Sequence, residues 1–344
     1  MKANSIDIAY RAGVSQSTVS RALRDSPLVN KETRERIQAI AKELNYKVDK
    51  NASNLRMQSS KTIALLLFED PTSDDSMINP FFLSMLGSIT KFTAKAGYDL
   101  LVSFQQMNAD WHADYEDSNK ADGIILLGYG DYEDYKNKLT QLIDQGTRFV
   151  RWGAEAEDLP IISIGCGNVD AGFQVTQYLA GLGRKKMAFL GGADGSCPEF
   201  LDRYQGHCQA LKEAGLEVND KVQIDAITTE ESGYQACNKL IALNKPFDAI
   251  FAASDLIAIG AIKALKENYI RVPKDVAVVG FDNIATASSV SPPLTTMKQD
   301  TVKAGQLLVE NLLKLIDGEK VTSVQMQTEL VVRQSCGAQA GGDI

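Results

Sequence analysis

Residues 12–23 read AGVSQSTVSRAL, and this stretch decides the fold of the first part of the chain. Gly13 suits the left-handed backbone conformation of a tight turn between two helices. Ser15 is a favourable N-cap for a second helix over residues 16–23, and Asn4 is the corresponding cap for a short helix before the turn. Two short helices joined in this way predict a helix-turn-helix, which places its second helix in the major groove of DNA.

A third helix, predicted over residues 31–44, completes a small core with the first two. Its apolar positions recur three and four residues apart, as they do on one face of an amphipathic helix. The residues expected to face this core are Ile6, Ile8, Ala9, Val19, Ala22, Leu23, Ile37, Ile40, Ala41 and Leu44. Residues 1–46 are therefore predicted to form a separate all-α head.

The outward face of the second helix is uncharged except for one arginine. The side chains expected to contact DNA from this part of the head are Asn4, Ser15, Gln16, Ser17, Thr18, Ser20 and Arg21. A solvated helix face usually carries Lys and Glu, whereas Gln pairs with adenine and Arg with guanine in the major groove. Ser and Thr reach bases or phosphates. This face predicts base reading, and the alternative is a three-helix module with a structural role only.

The chain is acidic overall, with a net charge of −8, yet its charge is unevenly distributed. The first 60 residues carry 11 Lys and Arg against 6 Asp and Glu. A basic head on an acidic body suits a protein that contacts phosphate at one end only. From composition alone, the alternative is a chance asymmetry.

Six short motifs together resemble the LacI/GalR family of bacterial regulators. They are IA at 8–9, AGVS at 12–15, STVSR at 17–21, ETRER at 32–36, LNY at 44–46 and NLR at 54–56, in the family's order. The resemblance extends over nearly the whole chain. It implies a DNA-binding transcription regulator, which we expect to be a repressor, controlled by a small molecule bound in a second domain.

Residues 47–61 are polar and basic, which by composition indicates a flexible linker. The resemblance implies instead a hinge helix that becomes ordered on the operator. Its Leu55 would insert between base pairs in the minor groove and kink the duplex. Asn54 and Arg56 are expected to contact DNA beside it.

Residues 62–335 alternate short apolar runs with helical patterns, which predicts parallel sheets with helices on both faces. The strands are too many for one ordinary sheet, so we expect two lobes. The resemblance implies the fold of periplasmic sugar-binding proteins, with the ligand between the lobes. We assign about 62–165 and 294–325 to one lobe, about 166–293 and 326–335 to the other, with a closing strand near 324–332. Residues 336–344 are a tail.

Ligands of open α/β sheets bind at the carboxyl ends of the strands. Phe82 begins a helix after the first predicted strand, and Arg151 and Trp152 end the fourth. Aromatic rings suit stacking on a sugar or a base, and arginine suits hydroxyls or carboxylates. The alternatives are a core position for Phe82, and a packed Trp152 beside a surface Arg151.

Three further residues match ligand positions of the family that the chain resembles: Arg203, Ser254 and Asp282. Ser254 holds the ligand-side position, and Asp255 is expected to cap the following helix. An arginine and an aspartate that face one cleft can bond to vicinal hydroxyls or to the edge of a base.

We expect the effector to be a sugar or an oligosaccharide. The alternative is a purine corepressor, because the pair Trp152 and Gly153 resembles purine-responsive members of the family. Two departures leave the effector open: Thr228 lies where the family often has an aromatic residue, and Arg151 where many members have an acid. The tail lacks the leucine heptads of tetrameric relatives, so we expect a homodimer on a nearly palindromic operator of double-stranded DNA.

Several function classes are not supported by the sequence. The chain has two histidines and five cysteines, without a nucleophile motif, CxxC or metal-ligand spacing, so no enzyme, metal or cofactor is expected. We find no apolar run of membrane-spanning length and no secretory signal at the N-terminus. We therefore expect a cytoplasmic protein without membrane contact, and a sugar-binding transport protein is the rival interpretation for residues 61–330.

Overall fold

The computed structural model describes residues 4–46, 59–70, 77–128, 130–155 and 159–338. The chain divides into two compact units, residues 1–60 and 61–344. Within the described ranges, no helix is long and apolar enough to cross a membrane.

The described residues of the first unit form three helices, α1 (Ser5–Ala12), α2 (Gln16–Ala22) and α3 (Lys31–Glu43). Gly13 ends α1 in the left-handed conformation, with φ of 64°, as the turn requires. The three helices enclose a core of Ile8, Ala9, Ala12, Val19, Ala22, Val29, Ile37 and Ala41, with Leu23, Ile40 and Leu44 packed against it. The predicted helix-turn-helix is confirmed.

One predicted core residue of the head is wrong. The side chain of Ile6 is 62% exposed, whereas Ile8 is fully buried. Successive residues of an α-helix are rotated by about 100° around its axis, so Ile6 and Ile8 point to nearly opposite sides. The core face of α1 consists of Ile8, Ala9 and Ala12.

The second unit has two lobes, each built on a six-stranded sheet. The first sheet contains β1 (Thr62–Leu67), β2 (Asp99–Phe104), β3 (Gly123–Leu127), β4 (Phe149–Trp152), β5 (Ser163–Cys166) and β11 (Val324–Met326), in the order β11-β5-β4-β3-β1-β2. All of its pairings are parallel. Its helices are α4 (Pro80–Lys95), α5 (Tyr132–Asp144) and α10 (Thr301–Ile316).

The second sheet contains β6 (Met187–Leu190), β7 (Gln223–Ile224), β8 (Ala249–Ala252), β9 (Ala277–Asp282), β10 (Thr295–Lys298) and β12 (Glu329–Val331), in the order β12-β10-β9-β8-β6-β7. Its pairings are parallel except that between β10 and β12. The helices α6 (Asn168–Gly181), α7 (Pro198–Glu213), α8 (Glu230–Ala242) and α9 (Asp255–Glu267) belong to this lobe. The predicted fold class, an α-helical head with a two-lobed α/β body, is confirmed.

Helices cover both faces of the central strands, which explains why these strands are continuous apolar runs rather than alternating ones. Every residue of β3, β8 and β9 is buried. Exposed residues fall on the edge strands β2, β11 and β12 instead.

One of the three crossings between the lobes differs from our assignment, and those near residues 166 and 326 agree with it. Residues 294–298 were assigned to the first lobe, but β10 pairs with β9 in the second sheet. The predicted closing strand near 324–332 is two strands, of which β11 belongs to the first sheet and β12 to the second. The last strand of the first lobe, β11, therefore ends at Met326. The chain crosses between the lobes after β5, after β10 and after β11.

Two glycines let α6 and α7 pack closely, and this packing positions the start of α7. A Cβ atom on Gly206 would lie 1.9 Å from the carbonyl oxygen of Val169, and one on Gly172 would lie 2.2 Å from that of Arg203. The helices therefore approach backbone to backbone. Arg203, one turn before Gly206 on α7, is fixed by this contact.

Candidate functional site

The exposed part of α2 presents a small polar surface. Gln16, Ser17 and Arg21 are exposed, and Thr18 and Ser20 are half-buried. Within the described part of the chain, the side chain of Arg21 makes no hydrogen bond or ion pair, so its guanidinium is available to a partner such as a guanine edge.

Local hydrogen bonds engage several of the other predicted DNA-binding side chains. Ser15 caps α2 by accepting from the Thr18 amide, at 3.2 Å. The amide of Gln16 donates to the Ser5 hydroxyl at 2.7 Å, and Arg24 donates to the Ser20 hydroxyl at 2.7 Å. These bonds orient the surface before any DNA is present.

Asn4 acts as the predicted cap of α1. Its Oδ1 accepts from the amides of Ile6 and Asp7, and the Asp7 carboxylate accepts from the Asn4 amide. The remaining predicted DNA-binding residues, Asn54, Leu55 and Arg56, lie outside the described residues. Their contacts with DNA stay predictions.

A cleft of about 640 Å³, including its opening to solvent, lies between the two lobes. We call it the interlobe cleft. Its lining is Asp70, Asn79, Phe81, Phe82, Gly128, Trp152, Cys197, Glu199, Phe200, Arg203, Thr228, Asp282 and Gln299. A concave lining of aromatic side chains with a few polar groups is typical of pockets for small organic ligands.

Aromatic rings of the first lobe form one wall of the cleft. The ring centroid of Phe81 lies 5.7 Å from that of Trp152 and 5.3 Å from that of Phe82. All three rings line the cleft, and Phe81 and Trp152 are buried whereas Phe82 is half-buried. Rings of this kind stack on the apolar face of a sugar or on a base.

Arg203 and Asp282 form the polar part of the second lobe's contribution. Arg203 donates through Nε to Asn168 Oδ1 at 2.9 Å, and its guanidinium lies 3.6 Å from the ring centroid of Phe281. Asp282 accepts from the amide of Gln299 at 2.7 Å. Burial raises the pKa of Asp282 to about 6, and the nearby guanidinium of Arg203 limits the rise.

The turn that carries Asp282 is strained and tightly held. Asp282 has φ of 110° and Asn283 has φ of 57°, values that non-glycine residues rarely adopt. The Ile284 amide donates to the carboxylate of Asp255 at 2.8 Å. Arg333 donates to Asn283 Oδ1 at 2.7 Å. Strain that the surroundings impose in this way is typical of functional sites.

Neither Ser254 nor Asp255 has its predicted role, because Ser254 is the helix cap and neither residue lines the cleft. Ser254 is the N-cap of α9 and accepts from the Ile257 amide, and it does not line the interlobe cleft. Asp255 is fully buried and accepts from the Thr296 hydroxyl at 2.6 Å. Burial raises the pKa of Asp255 well above its usual value, and neighbouring Asp282 adds to the rise. A serine at a strand end suits both roles, which is why the sequence did not distinguish them.

The prediction that Arg151 faces the ligand is also wrong. Arg151 is only 2% exposed and does not line the cleft. Its side chain turns back to donate to the Ser163 hydroxyl at 3.0 Å and to the carbonyl of Ala154. Successive residues of a strand point to opposite faces, so Trp152 and Arg151 cannot both face the cleft.

The other four predicted effector residues, Phe82, Trp152, Arg203 and Asp282, line the cleft together. The sequence analysis missed four polar residues of the lining, which are Asp70, Asn79, Glu199 and Gln299. Asp70 follows the first strand, so the rule of strand ends could have found it. Burial raises its pKa to about 6. Glu199 follows a proline at a helix start, a pattern equally typical of solvent-facing acids.

Metal binding has no support in the described ranges, where no group of three or more His, Cys, Asp or Glu could hold an ion. The cleft offers aromatic faces, carboxylates, amides and one guanidinium, which suit reversible binding of an organic molecule.

Two family models match the chain. Residues 6–49 match the bacterial regulatory proteins of the lacI family, and residues 176–336 match the periplasmic binding protein-like domain. Over 335 residues the chain is 31% identical to the HTH-type transcriptional regulator RegA of Clostridium saccharobutylicum, covering 96% of this chain and 98% of that protein. It is 29% identical over 334 residues to the HTH-type transcriptional repressor PurR of Histophilus somni strain 2336, covering 96% and 97%.

Solved structures of such proteins are also similar. The lac repressor dimer bound to operator and the anti-inducer ONPF has a TM-score of 0.85 at 25% identity, covering 98% of this chain and 100% of that one. The complex of the transcriptional regulator CelR with cellobiose has a TM-score of 0.73 at 27% identity, covering 97% and 99%.

Proposed function

Because this chain belongs to the lacI family of bacterial regulatory proteins, we propose that it is a repressor whose operator affinity is controlled by a sugar or an oligosaccharide in the interlobe cleft. As a member of that family it is a DNA-binding transcription regulator and not an enzyme. The regulator acts as a homodimer, so that two heads bind two half-sites of a nearly palindromic operator. Its place of action is the cytoplasm, where the DNA is.

The lining of the interlobe cleft is the observation that supports this effector class. The cleft is lined by three carboxyl groups, those of Asp70, Glu199 and Asp282, by the amides of Asn79 and Gln299, and by one guanidinium, that of Arg203. Carboxylates accept hydrogen bonds from hydroxyls, and an aromatic wall covers the apolar face of a pyranose. An excess of acceptors favours a neutral, hydroxyl-rich ligand over an anion. The similarity to the cellobiose complex of CelR agrees with this choice.

A purine is the second candidate. The relatives named PurR span nearly the whole chain, and Trp152 with Phe82 could also stack on a base. A purine presents ring nitrogens and a carbonyl as acceptors, which need donors in the cleft. Arg203, Asn79 and Gln299 are the side chains of the lining that could supply them.

Isothermal titration calorimetry of the purified protein tests the effector class. The panel consists of glucose, maltose, cellobiose, hypoxanthine and guanine, each titrated into wild type and into Asp282→Ala. We expect a neutral sugar to bind wild type and to bind Asp282→Ala at least tenfold more weakly, because the acceptor carboxylate is lost. Tight binding of hypoxanthine or guanine alone would favour the purine. Equal affinity of both proteins for the same ligand would remove Asp282 from its site.

Retention of DNA binding by Asp282→Ala is the matched control. The head does not include this residue, so the variant is expected to bind operator DNA but to show no response to the ligand. An intact response would contradict the proposal that the interlobe cleft controls the head.

A further inference from the structure

Arg151 is a buried charged residue that has no role in the proposed function. The side chain is 2% exposed, and its guanidinium lies 5.3 Å from the ring centroid of Tyr132. Two of its nitrogens donate to Ser163 and Ala154, but Nη1 is buried without a hydrogen-bond partner. Burying a cation in this way costs free energy unless an opposite charge is close.

A carboxylate from the other lobe lies near this nitrogen, beside Gly153. Glu199, in the first turn of α7, accepts from the amide of Ala154 in the first lobe at 2.8 Å. A Cβ atom on Gly153 would lie 2.9 Å from Oε1 of Glu199 and 3.2 Å from Nη1 of Arg151. Both charged groups therefore border the space that the glycine leaves empty.

A second contact joins the lobes beside this one. The amide of Tyr132, at the start of α5, donates to the carbonyl of Ser196 at 3.0 Å. Ser196 lies three residues before Glu199, so both contacts belong to the segment that begins α7. One side of the interlobe cleft is thereby closed by direct contact between the lobes.

We propose that Arg151 is a positioning residue whose charge holds the carboxylate of Glu199 against the first lobe, so that the pair acts as an interlobe latch. The inference rests on the proposed function for the meaning of the cleft, but the latch itself needs no ligand. Attraction between opposite charges is strong in a water-poor interior, even without direct contact. Glu199 also lines the cleft. The latch therefore fixes one acceptor for the effector and couples occupancy of the cleft to the position of the lobes.

Thermal unfolding and amide exchange of the ligand-free, full-length protein test the latch. Arg151→Gln and Glu199→Gln are each expected to lower the Tm by about 2–6 °C. The double variant should lose no more than the more damaging single variant, because both changes break one interaction. Deuterium exchange in peptides spanning residues 150–155 should become about tenfold faster in each variant, since the bond to the Ala154 amide weakens.

Arg148→Gln is the matched control, because Arg148 precedes the same strand but is half-exposed and pairs with Glu116. It should leave exchange in that peptide unchanged. If Arg151→Gln does not fold, Arg151→Lys replaces it, and retention of the charge should keep the exchange close to that of wild type. Additive Tm losses in the double variant, or wild-type exchange in Arg151→Gln, would overturn the latch. The calorimetric test of ligand binding is independent of both results, so the proposed function would stand even if the latch were overturned.

Discussion

Asp282 has an ionisable carboxyl group in a buried position, and ionising a buried carboxyl group costs free energy in the ligand-free protein. It is 8% exposed, and its pKa is raised to about 6 by burial. Because the folded-state pKa lies above the ordinary value near 3.9, the unfolded chain binds fewer protons in this range. The contribution of Asp282 to stability therefore falls as the pH rises through about 6. A ligand that bonds to the carboxylate recovers this loss.

Asp282→Asn should accordingly stabilise the ligand-free protein at pH 7.5. Asparagine keeps an acceptor for Gln299 but buries no charge, so we expect a gain on the order of 1–3 kcal/mol, which shrinks towards pH 5. Urea unfolding at a series of pH values measures it. Burial lowers the pKa of His207 to about 3, which destabilises both proteins equally as the pH falls below 6.5, so only their difference is informative. A gain independent of pH would show that Asp282 does not titrate near 6.

Single residues of the site were predictable from the sequence where the backbone rule was simple. Trp152 and Asp282 are the last residues of β4 and β9, and the carboxyl end of a parallel strand faces the cleft. The prediction for Arg151 was wrong because strand alternation turns its side chain to the opposite face of the sheet. There it donates a hydrogen bond to Ser163 on the neighbouring strand. Glu199 could not be foreseen, since its contact with Ala154 joins residues far apart in the chain.

At the scale of elements, the contact between α6 and α7 depends on the absence of a side chain. Gly206→Ala would place a methyl group 1.9 Å from the carbonyl oxygen of Val169, so the helices must separate. We expect a loss of about 3 kcal/mol or more in the free energy of unfolding, as in severe overpacking. Displacement of α7 also moves Arg203, so ligand binding should weaken as well.

Gly181→Ala provides the control in the partner helix α6. A Cβ atom at Gly181 would meet no atom within 4 Å. The substitution should be neutral or stabilising by about 0.5–1 kcal/mol, because alanine restricts the unfolded chain more than glycine. Similar urea midpoints for both variants would contradict the close-packing account of Gly206.

Elements with strong apolar patterns were predictable, and short polar ones were not. β3, β4, β6 and β8 belong to the short apolar runs from which the sequence predicts strands. β5 contains a serine and a glycine, and β10 begins with two threonines that are fully buried and hydrogen-bonded. Their strand conformation is set by pairing with neighbouring strands rather than by their own residues. For this reason the lobe boundary that the sequence placed before β10 was displaced.

On the scale of the whole molecule, we assign DNA binding to the first unit and effector binding to the second. The first 60 residues are basic and contain a hydrogen-bonding helix surface, while the whole chain carries a net charge of −8. Phosphate contacts give affinity that falls with salt for any sequence, whereas base contacts give preference between sequences. The central claim is that α2 supplies such a preference, with Arg21 as its main base-reading residue.

Removal of an equal charge elsewhere on the head separates the two effects. Lys31, at the start of α3, is exposed and pairs only loosely with Glu35 at 3.9 Å. Lys31→Ala should weaken binding to all duplexes alike, as a lost phosphate contact does. Arg21→Ala should instead lower the preference for the operator by about 1–3 kcal/mol.

Competition binding of the intact protein at physiological salt tests this claim most directly. The duplex selected from a random library is compared with a scrambled duplex of the same composition, for wild type, Arg21→Ala and Lys31→Ala. We predict a two-fold-symmetric selected site, bound by wild type at least about 10³-fold more tightly than the scrambled duplex. That ratio should fall in Arg21→Ala and persist in Lys31→Ala. Equal wild-type affinity for both duplexes would contradict the account.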